Sequence, residues 1–378
     1  MFDYELLRLV WWVLVGVLLI GFAITDGFDM GVGALLPFVG KKDVERRVML
    51  NTMGPHWEGN QVWLVTAGGA LFAAWPMVYA AAFSGFYIAM ILTLMALFLR
   101  PVGFKYRSLR EDAKWRNNWD WGLFIGSAVP PVVFGVAFGN LLQGVPFDFN
   151  QFLMLTYHGN FFGLLNPFGL LAGLVSLFMI VTQGATWLMM KTEGEVLARS
   201  RSAAMLCSLL TLVLFALAGW WVSGMDGFVV VKAAATDAVS NPMNKEVVRQ
   251  AGAWMNNYSL YPWMMIAPAL GLSMSLLTAV AAKLDKGWLA FLCSSLAIAG
   301  IILTAGFSMF PFVMPSSLAP SLSLTMWDAT ASFNTLKVMT VVAVVLVPTV
   351  LAYTVWTYIK MFGRVSNQHI EDNQQSLY

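Results

Sequence analysis

Residues 8–36 read RLVWWVLVGVLLIGFAITDGFDMGVGALL. This stretch is longer than the roughly 20 apolar residues with which an α-helix crosses a bilayer core of about 30 Å. Asp26 and Asp29 lie within it, three residues apart, and therefore share one face of the helix. Because a carboxylate at membrane depth is costly when it faces lipid, we predict a spanning helix whose acidic face lies inside a helix bundle.

The whole chain has the composition of a membrane protein. Its 378 residues are 59% hydrophobic and only 11% charged, whereas soluble domains carry about 25% charged residues. The net charge of +2 comes from short basic runs between apolar segments, which does not favour nucleic-acid binding. Cys207 and Cys293 lie in apolar segments and are interpreted as small buried side chains. We expect the first segment to stay as a membrane anchor, since no small-residue cleavage site follows it.

Apolar segments of spanning length recur and predict an all-α polytopic membrane protein with about nine transmembrane helices. We expect a single integral membrane domain over residues 1–378, in which two four-helix bundles and one peripheral helix fit the spacing. The predicted helices cover about 8–36, 53–74, 79–99, 120–142, 162–189, 203–223, 262–282, 288–311 and 336–358. Because proline interrupts a helix, Trp75-Pro76 is interpreted as a tight hairpin between the second and third helices.

Lysine and arginine are distributed unequally between the two sides of these nine helices. One side holds 17 of the 22 basic residues: Lys41, Lys42, Arg46, Arg47, Arg100, Lys105, Arg107, Arg110, Lys114, Arg116, Lys191, Arg199, Arg201, Lys283, Lys286, Lys360 and Arg364. The other side holds Arg8, Lys232, Lys245, Arg249 and Lys337. Since cytoplasmic loops retain positive charge, we expect a periplasmic N-terminus and a cytoplasmic C-terminus.

Several acids can reach membrane depth, and we place four of them in the cytoplasmic third of the bundle: Asp26, Asp29, Glu58 and Asp120. The functional interpretation is a hydrated proton route in which Glu58 is the most deeply placed carrier. The alternative is that these acids pair with Arg100, Lys105 and neighbouring bases to fix the helix packing. The sequence leaves both interpretations open.

Histidine is too scarce for several haem ligands, because only His56 lies near a predicted helix. His56 could ligate one metal, but a hydrogen-bonded interfacial histidine is the favoured interpretation. His158 is expected in an outer loop and His369 in the polar C-terminal tail. Composition and spacing therefore lead to a helical membrane protein with a proton-accessible acidic cluster, and no further.

Motifs along nearly the whole chain resemble one family. They are TDGFDMG at 25–31, HWEGNQVWL at 56–64, ALFAAWP at 70–76, RP at 100–101, NPFGL at 166–170, FPFVMPSS at 310–317 and WD at 327–328. Their order is similar to that of subunit II of the cytochrome bd ubiquinol oxidases, of the enterobacterial type.

The resemblance implies a subunit of a terminal oxidase of the bacterial inner membrane, which serves electron transport in aerobic respiration. The complex would oxidise ubiquinol, reduce dioxygen to water and generate proton-motive force. Haem d and haem b would be held by subunit I or shared with it, and a small single-helix subunit would bind as well. The resemblance also implies that some members hold a ubiquinone in subunit II.

Carried over by position, the resemblance implies roles for several residues. Glu58, with Asp26 and Asp29, would belong to the proton route, and Trp63 with Leu64 would lie at the mouth of an apolar passage for dioxygen. A packed core is the equally simple interpretation of Trp63 and Leu64. At Lys105 the family has an acid in the proton route, so the lysine either moves that route or shows that the acid is dispensable.

Two other functions compete with an oxidase subunit. A proton-coupled secondary transporter would need broken helices related by a repeat, and only Pro130-Pro131 suggests such a break. A purely structural membrane subunit would need Glu58 only as an ion-pair partner. As an oxidase subunit, this chain would be part of an enzyme complex but would have no complete active site of its own.

Overall fold

The computed structural model of the chain describes residues 3–366 and residue 370, so His369 lies outside the described residues. This part of the chain forms twelve α-helices: α1 (Tyr4–Val39), α2 (Asp43–Met53), α3 (Trp57–Ala74), α4 (Pro76–Gly85), α5 (Tyr87–Tyr106), α6 (Ala113–Gln143), α7 (Pro167–Lys191), α8 (Gly194–Gly224), α9 (Asn256–Leu260), α10 (Ile266–Lys283), α11 (Gly287–Met309) and α12 (Phe333–Lys360). Six short strands form three antiparallel pairs: β1 (Phe147–Phe149) with β2 (Leu155–Tyr157), β3 (Asp226–Lys232) with β4 (Glu246–Ala251), and β5 (Phe312–Met314) with β6 (Leu324–Thr325).

The all-α membrane class predicted from the sequence is confirmed. Eight of the described helices are long and apolar enough to cross a membrane: α1, α5, α6, α7, α8, α10, α11 and α12. Helix α3 falls short of that criterion because its first turns carry Glu58, Asn60 and Gln61. The count of nine spanning helices therefore stays a prediction.

The chain breaks at Trp75, but the predicted tight hairpin is wrong. Helix α3 ends at Ala74, and Pro76 occupies the first turn of the separate helix α4. Proline is tolerated there because the first amide groups of a helix have no intrahelical partner. Trp75 is buried, with φ −132° and ψ 72°. Helix α5 consequently begins at Tyr87, later than the sequence predicts.

Helix α1 lies at the centre of the bundle and contacts α3, α6, α7, α11 and α12. Helices α5 and α6 pack together on one side, and α8, α10 and α11 pack together on the other. Helix α12 is peripheral, since only 6% of its most apolar stretch is buried. The division into two four-helix bundles stays a prediction.

Two ends of the bundle differ in character. We call the end formed by Val39, α2 and Tyr106 the basic end, and the opposite end, which carries the strand pairs, the hairpin end. At the hairpin end Arg8 is fully buried and donates hydrogen bonds to the carbonyl oxygens of Thr236 and Ala238 and to the Thr330 hydroxyl. These bonds fasten the long loop between β3 and β4 to α1.

Helices α1 and α7 cross at two glycines. A Cβ on Gly31 would overlap the carbonyl oxygen of Ile180, and a Cβ on Gly184 would overlap the backbone of Gly31. The two backbones are therefore in direct contact, as small residues permit in membrane helices. No other residue type fits either position without moving the helices apart.

At the basic end, Glu45 joins α2 to α8 and to the end of α1. Its carboxylate accepts hydrogen bonds from the backbone N–H of Lys41 at 2.8 Å and of Lys42 at 3.0 Å, and pairs with Arg199 at 2.8 Å. Burial acts to raise the pKa of Glu45, but the Arg199 guanidinium and the two amides outweigh it and lower the pKa.

We expect Gly184→Ala to destabilise the protein by about 2 kcal/mol, because the added methyl overpacks the crossing of α1 and α7. The thermal unfolding midpoint of the detergent-purified protein measures this. Gly219→Ala in α8 is the matched control, since a Cβ there meets no atom within 4 Å. Equal midpoints for the two variants would contradict the direct backbone contact.

We expect Glu45→Gln to lower the stability by about 1 kcal/mol at neutral pH. A carboxylate with a lowered pKa stabilises the fold above its ordinary pKa, and that contribution is lost as the pH falls through the folded-state pKa. The difference between wild type and variant in thermal midpoint should therefore shrink on acidification. Glu195→Gln, an exposed carboxylate on α8, should show no such convergence.

Candidate functional site

A buried ion pair joins α1 to α5 within the bundle. The Arg100 guanidinium donates to both oxygens of Asp26, with Nη2–Oδ1 at 2.8 Å and Nη1–Oδ2 at 3.0 Å. Asp26 is fully buried and Arg100 is 1% exposed. Such a two-pronged bond saturates the carboxylate, because each oxygen receives its own donor.

Asp29 lies one helical turn further along α1, and an amide holds it. Asn60 of α3 donates from Nδ2 to Asp29 Oδ2 at 2.8 Å. The hydroxyl of Tyr358, near the end of α12, donates to Asn60 Oδ1 at 2.5 Å. Asp29 is fully buried, and its Oδ1 has no partner among the described residues. The two neighbouring acids of α1 therefore have different surroundings.

A second charged layer lies at the basic end, around Asp120 of α6. This carboxylate binds Arg107 Nε at 2.5 Å and Arg46 Nη1 at 2.6 Å. Arg107 also reaches Asp43 at 2.8 Å, and Arg116 binds Asp43 at 2.7 Å. The sequence placed Asp120 near Arg100, but its partners are Arg107 and Arg46. Two cations around one buried acid are typical of a packing role.

Glu58 and Lys105 lie on the surface of the chain and outside both charged layers. The side chain of Glu58 is exposed in the first turn of α3, and no hydrogen bond or ion pair reaches it from the described residues. Lys105 is exposed near the end of α5. Between their helices, the rings of Trp57 and Phe104 stack with their centroids 5.2 Å apart. The structure thus brings Asp26, Asp29 and Arg100 together but leaves Glu58 and Lys105 outside.

Trp63 and Leu64 are half-buried on α3. Both pack against an apolar cluster that includes Phe22 and Met30 of α1, and a Cβ on Gly21 would overlap the Trp63 ring. Their contacts are those of ordinary side-chain packing, so the passage and the packed core suggested by the sequence both remain compatible with them.

His56 lies in an aromatic cluster just before α3. Its ring stacks on that of Tyr358, with centroids 4.4 Å apart and planes inclined by 2°, and meets the edge of Trp187 at 6.0 Å. His158 pairs with Asp148 at 3.2 Å at the hairpin end. The described residues contain no group of three or more His, Cys, Asp or Glu side chains placed to hold a metal ion.

Sequence reasoning missed Asn60 and Tyr358. Asn60 carries one usable signal, since a polar amide within an apolar helix is costly unless it is hydrogen-bonded. Tyr358 gives no such signal, because tyrosine near the end of a spanning helix is common at the membrane interface.

Comparisons with known proteins agree with this arrangement of helices. The sequence model of the family "Cytochrome bd terminal oxidase subunit II" matches residues 7–361. The chain is 65% identical to cytochrome bd-I ubiquinol oxidase subunit 2 of Escherichia coli (strain K12) over 100% of both chains. It is 58% identical to a probable cytochrome oxidase subunit 2 of Haemophilus influenzae, again over 100% of both. A cytochrome bd ubiquinol oxidase subunit 2 of Bacillus subtilis is 32% identical, over 95% of this chain and 96% of that protein.

A solved structure has the same fold. A chain of the bd oxidase from Geobacillus thermodenitrificans superposes with a TM-score of 0.67 at 14% identity, covering 95% of this chain and 99% of that chain. At that identity the likeness concerns the arrangement of helices alone. Together with the full-length sequence matches, it shows that this chain belongs to the subunit II family of the cytochrome bd terminal oxidases.

Proposed function

We propose that this chain is the scaffold subunit of a quinol oxidase complex and carries part of the path by which protons reach the oxygen chemistry. The complex oxidises ubiquinol and reduces dioxygen to water in the bacterial inner membrane. The basic end faces the cytoplasm and the hairpin end the periplasm, so protons taken up at the basic end contribute to the proton-motive force. The observation that carries the proposal is the exposed carboxylate of Glu58, which pairs with none of the described residues and lies two residues before Asn60, the partner of the buried Asp29.

The exposed position of Glu58 supports a partner subunit on this face. A carboxylate that faces lipid is costly, whereas one covered by a second protein can be paired or hydrated. Helix α12 is apolar yet hardly buried, and α3 and α5 also expose large apolar side chains. We assign the exposed apolar faces of α3, α5 and α12 to contact with the haem-bearing subunit I. The complex also contains the small single-helix subunit, for which we assign no surface.

The two histidines among the described residues, His56 and His158, do not fit a haem, which supports haem d and haem b on the partner. An axial histidine must direct a ring nitrogen at the iron of a flat macrocycle. The His56 ring is instead packed between Tyr358 and Trp187, and His158 is bound to Asp148. A ubiquinone bound in this chain would need an exposed apolar face, such as those of α5 and α12.

The proton path we propose begins at Glu58 and continues to the acids of α1. Glu58 and Asn60 belong to the same turn of α3, and Asn60 binds Asp29. Arg100 binds both oxygens of Asp26 beside this route and so acts as its charge partner. Because Lys105 is exposed and a cation, we assign it no proton-carrying role.

We assign Trp63 and Leu64 to the wall of an apolar passage for dioxygen, which partitions into nonpolar surroundings. Their half-buried position against Phe22 fits a lining that a small apolar molecule could cross. The family to which the chain belongs gives no support for a proton-coupled transporter.

The assignment to an oxidase complex predicts haem that copurifies with this chain. We expect a reduced-minus-oxidised absorption spectrum with a far-red chlorin-type band when the complex is purified through a tag on this chain. The chain expressed alone should show no such band, since His56 and His158 are both held by other residues. A haem-free preparation under gentle detergent conditions would contradict the assignment.

We expect Glu58→Gln to slow quinol oxidation at least tenfold without loss of haem, because the amide keeps the shape of the side chain but cannot carry a proton. Glu58→Asp is the matched control and should retain most of the turnover. The measurement is oxygen consumption by the purified complex, with haem content from its spectrum. Unchanged turnover in Glu58→Gln would remove Glu58 from the proton path.

A further inference from the structure

The two buried acids of α1 differ in what remains free on each carboxylate. Both oxygens of Asp26 receive a nitrogen of Arg100, at 2.8 and 3.0 Å. Only Oδ2 of Asp29 has a donor, the Asn60 amide, and Oδ1 has no partner among the described residues. A proton added to Oδ1 breaks no hydrogen bond, whereas both oxygens of Asp26 are already engaged by the Arg100 guanidinium.

The charges around Asp26 and Asp29 also distinguish the two acids. Arg100 is the cation that contacts this pair, and Asp26 occupies both of its arms. Asn60 and Tyr358, which face Asp29 from α3 and α12, are uncharged hydrogen-bonding groups. If both acids were ionised, one buried negative charge would have no contacting cation, and such charges are costly in a protein interior.

The amide of Asn60 has a fixed orientation. Its oxygen accepts from the Tyr358 hydroxyl at 2.5 Å, and its nitrogen donates to Asp29 at 2.8 Å and to the Thr25 carbonyl oxygen at 3.4 Å. Turning the amide over would place oxygen against oxygen at Asp29. Asp29 and the Thr25 carbonyl oxygen thus determine that the nitrogen of Asn60 faces them, and the Tyr358 hydroxyl holds the opposite end of the amide.

We propose that Asp29 is the acid of this pair that takes up and releases a proton during turnover, while Asp26 stays bound to Arg100, and that Asn60 and Tyr358 are the positioning residues of Asp29. The step is a proton transfer to Asp29 Oδ1 from the cytoplasmic side and its release toward the oxygen chemistry. This inference rests on the proton path proposed above, which it narrows to one of the two α1 acids.

The inference gives α12 a role that its weak packing does not explain. Tyr358 stacks on His56 at 4.4 Å and lies 6.3 Å from the Phe28 ring, so its hydroxyl is held by neighbours on α1 and before α3. The rest of α12 is largely exposed. A shift of α12 would therefore be transmitted through one hydroxyl to the amide that positions Asp29.

The test is a reduced-minus-oxidised infrared difference spectrum of the purified complex, in the region where protonated carboxyl groups absorb. We expect a carboxyl band that disappears in Asp29→Asn and shifts in Tyr358→Phe, because the phenylalanine no longer donates to Asn60. Tyr353→Phe, on the same helix and exposed, is the matched control and should leave the band unchanged. The absorption spectrum of each variant checks that its haems are intact.

A second measurement keeps the inference testable if Asp29→Asn fails to assemble. The pH profile of quinol oxidation in Tyr358→Phe should differ from that of Tyr353→Phe by at least threefold in rate on one limb, with haem content unchanged. Identical infrared bands and identical pH profiles for the two tyrosine variants would overturn the positioning role. A carboxyl band that survives in an assembled Asp29→Asn complex would overturn the proton role of Asp29.

The results for the Asp29 and Tyr358 variants can be distinguished from the result for Glu58→Gln. If Glu58→Gln turns over normally while the band depends on Asp29 and Tyr358, the inference stands and the path begins elsewhere. If Glu58→Gln is slow but the band is independent of Asp29, the inference alone fails.

Discussion

The cost of a bare charge at membrane depth governs the arrangement of this chain. Asp26 lies within the long apolar segment that forms α1, and its carboxylate is tolerable there only with a partner that supplies charge and hydrogen bonds together. Arg100 does both through its two-pronged bond. Removing one partner of such a buried pair typically costs about 3–5 kcal/mol, because the other is left uncompensated. The pair therefore fixes the rotation of α1 against α5.

That rotation determines what the other faces of α1 can contact. With its acids toward α5 and α3, α1 presents Gly31 to α7, where only a glycine on each helix allows the backbones to meet. Helix α7 then carries Trp187 against Phe28, with ring centroids 4.0 Å apart. The aromatic cluster that holds His56 and Tyr358 follows from this contact. One ion pair and one glycine crossing thus position the residues around Asp29.

The sequence predicts the helices well because hydrophobic length measures the energetic cost of unpaired backbone groups in lipid, which only a helix avoids. It also locates the break at Trp75, which proline chemistry dictates. It could not place Glu58, because depth along a helix says nothing about which face a residue occupies. Asn60 and Glu58 are two residues apart and so about 200° apart around the axis. Once Asn60 turns inward to bind Asp29, Glu58 must turn outward.

The ion-pair partners of Asp120 could not be predicted from the sequence for a related reason. Choosing among Arg46, Arg100 and Arg107 requires the offsets of α2, α5 and α6 along the bundle, and these offsets depend on side-chain packing rather than on hydrophobic pattern. Asn60 and Tyr358 are a harder case, since the polar amide of Asn60 indicates a hydrogen bond but not its partner, and Tyr358 is ordinary in its own segment. Their importance lies only in the contact between α3 and α12, which are far apart in the chain.

The opposite orientations of Glu58 and Asn60 make the start of α3 a boundary between the outer surface of the chain and its buried acids. Gly59 lies between them, and the space that a Cβ would occupy there is open. The first amide groups of a helix have no intrahelical acceptor and can donate to water. A proton moving from Glu58 to Asp29 would therefore have to cross from the outer face of α3 to its inner face, where the buried Asn60 amide contacts Asp29.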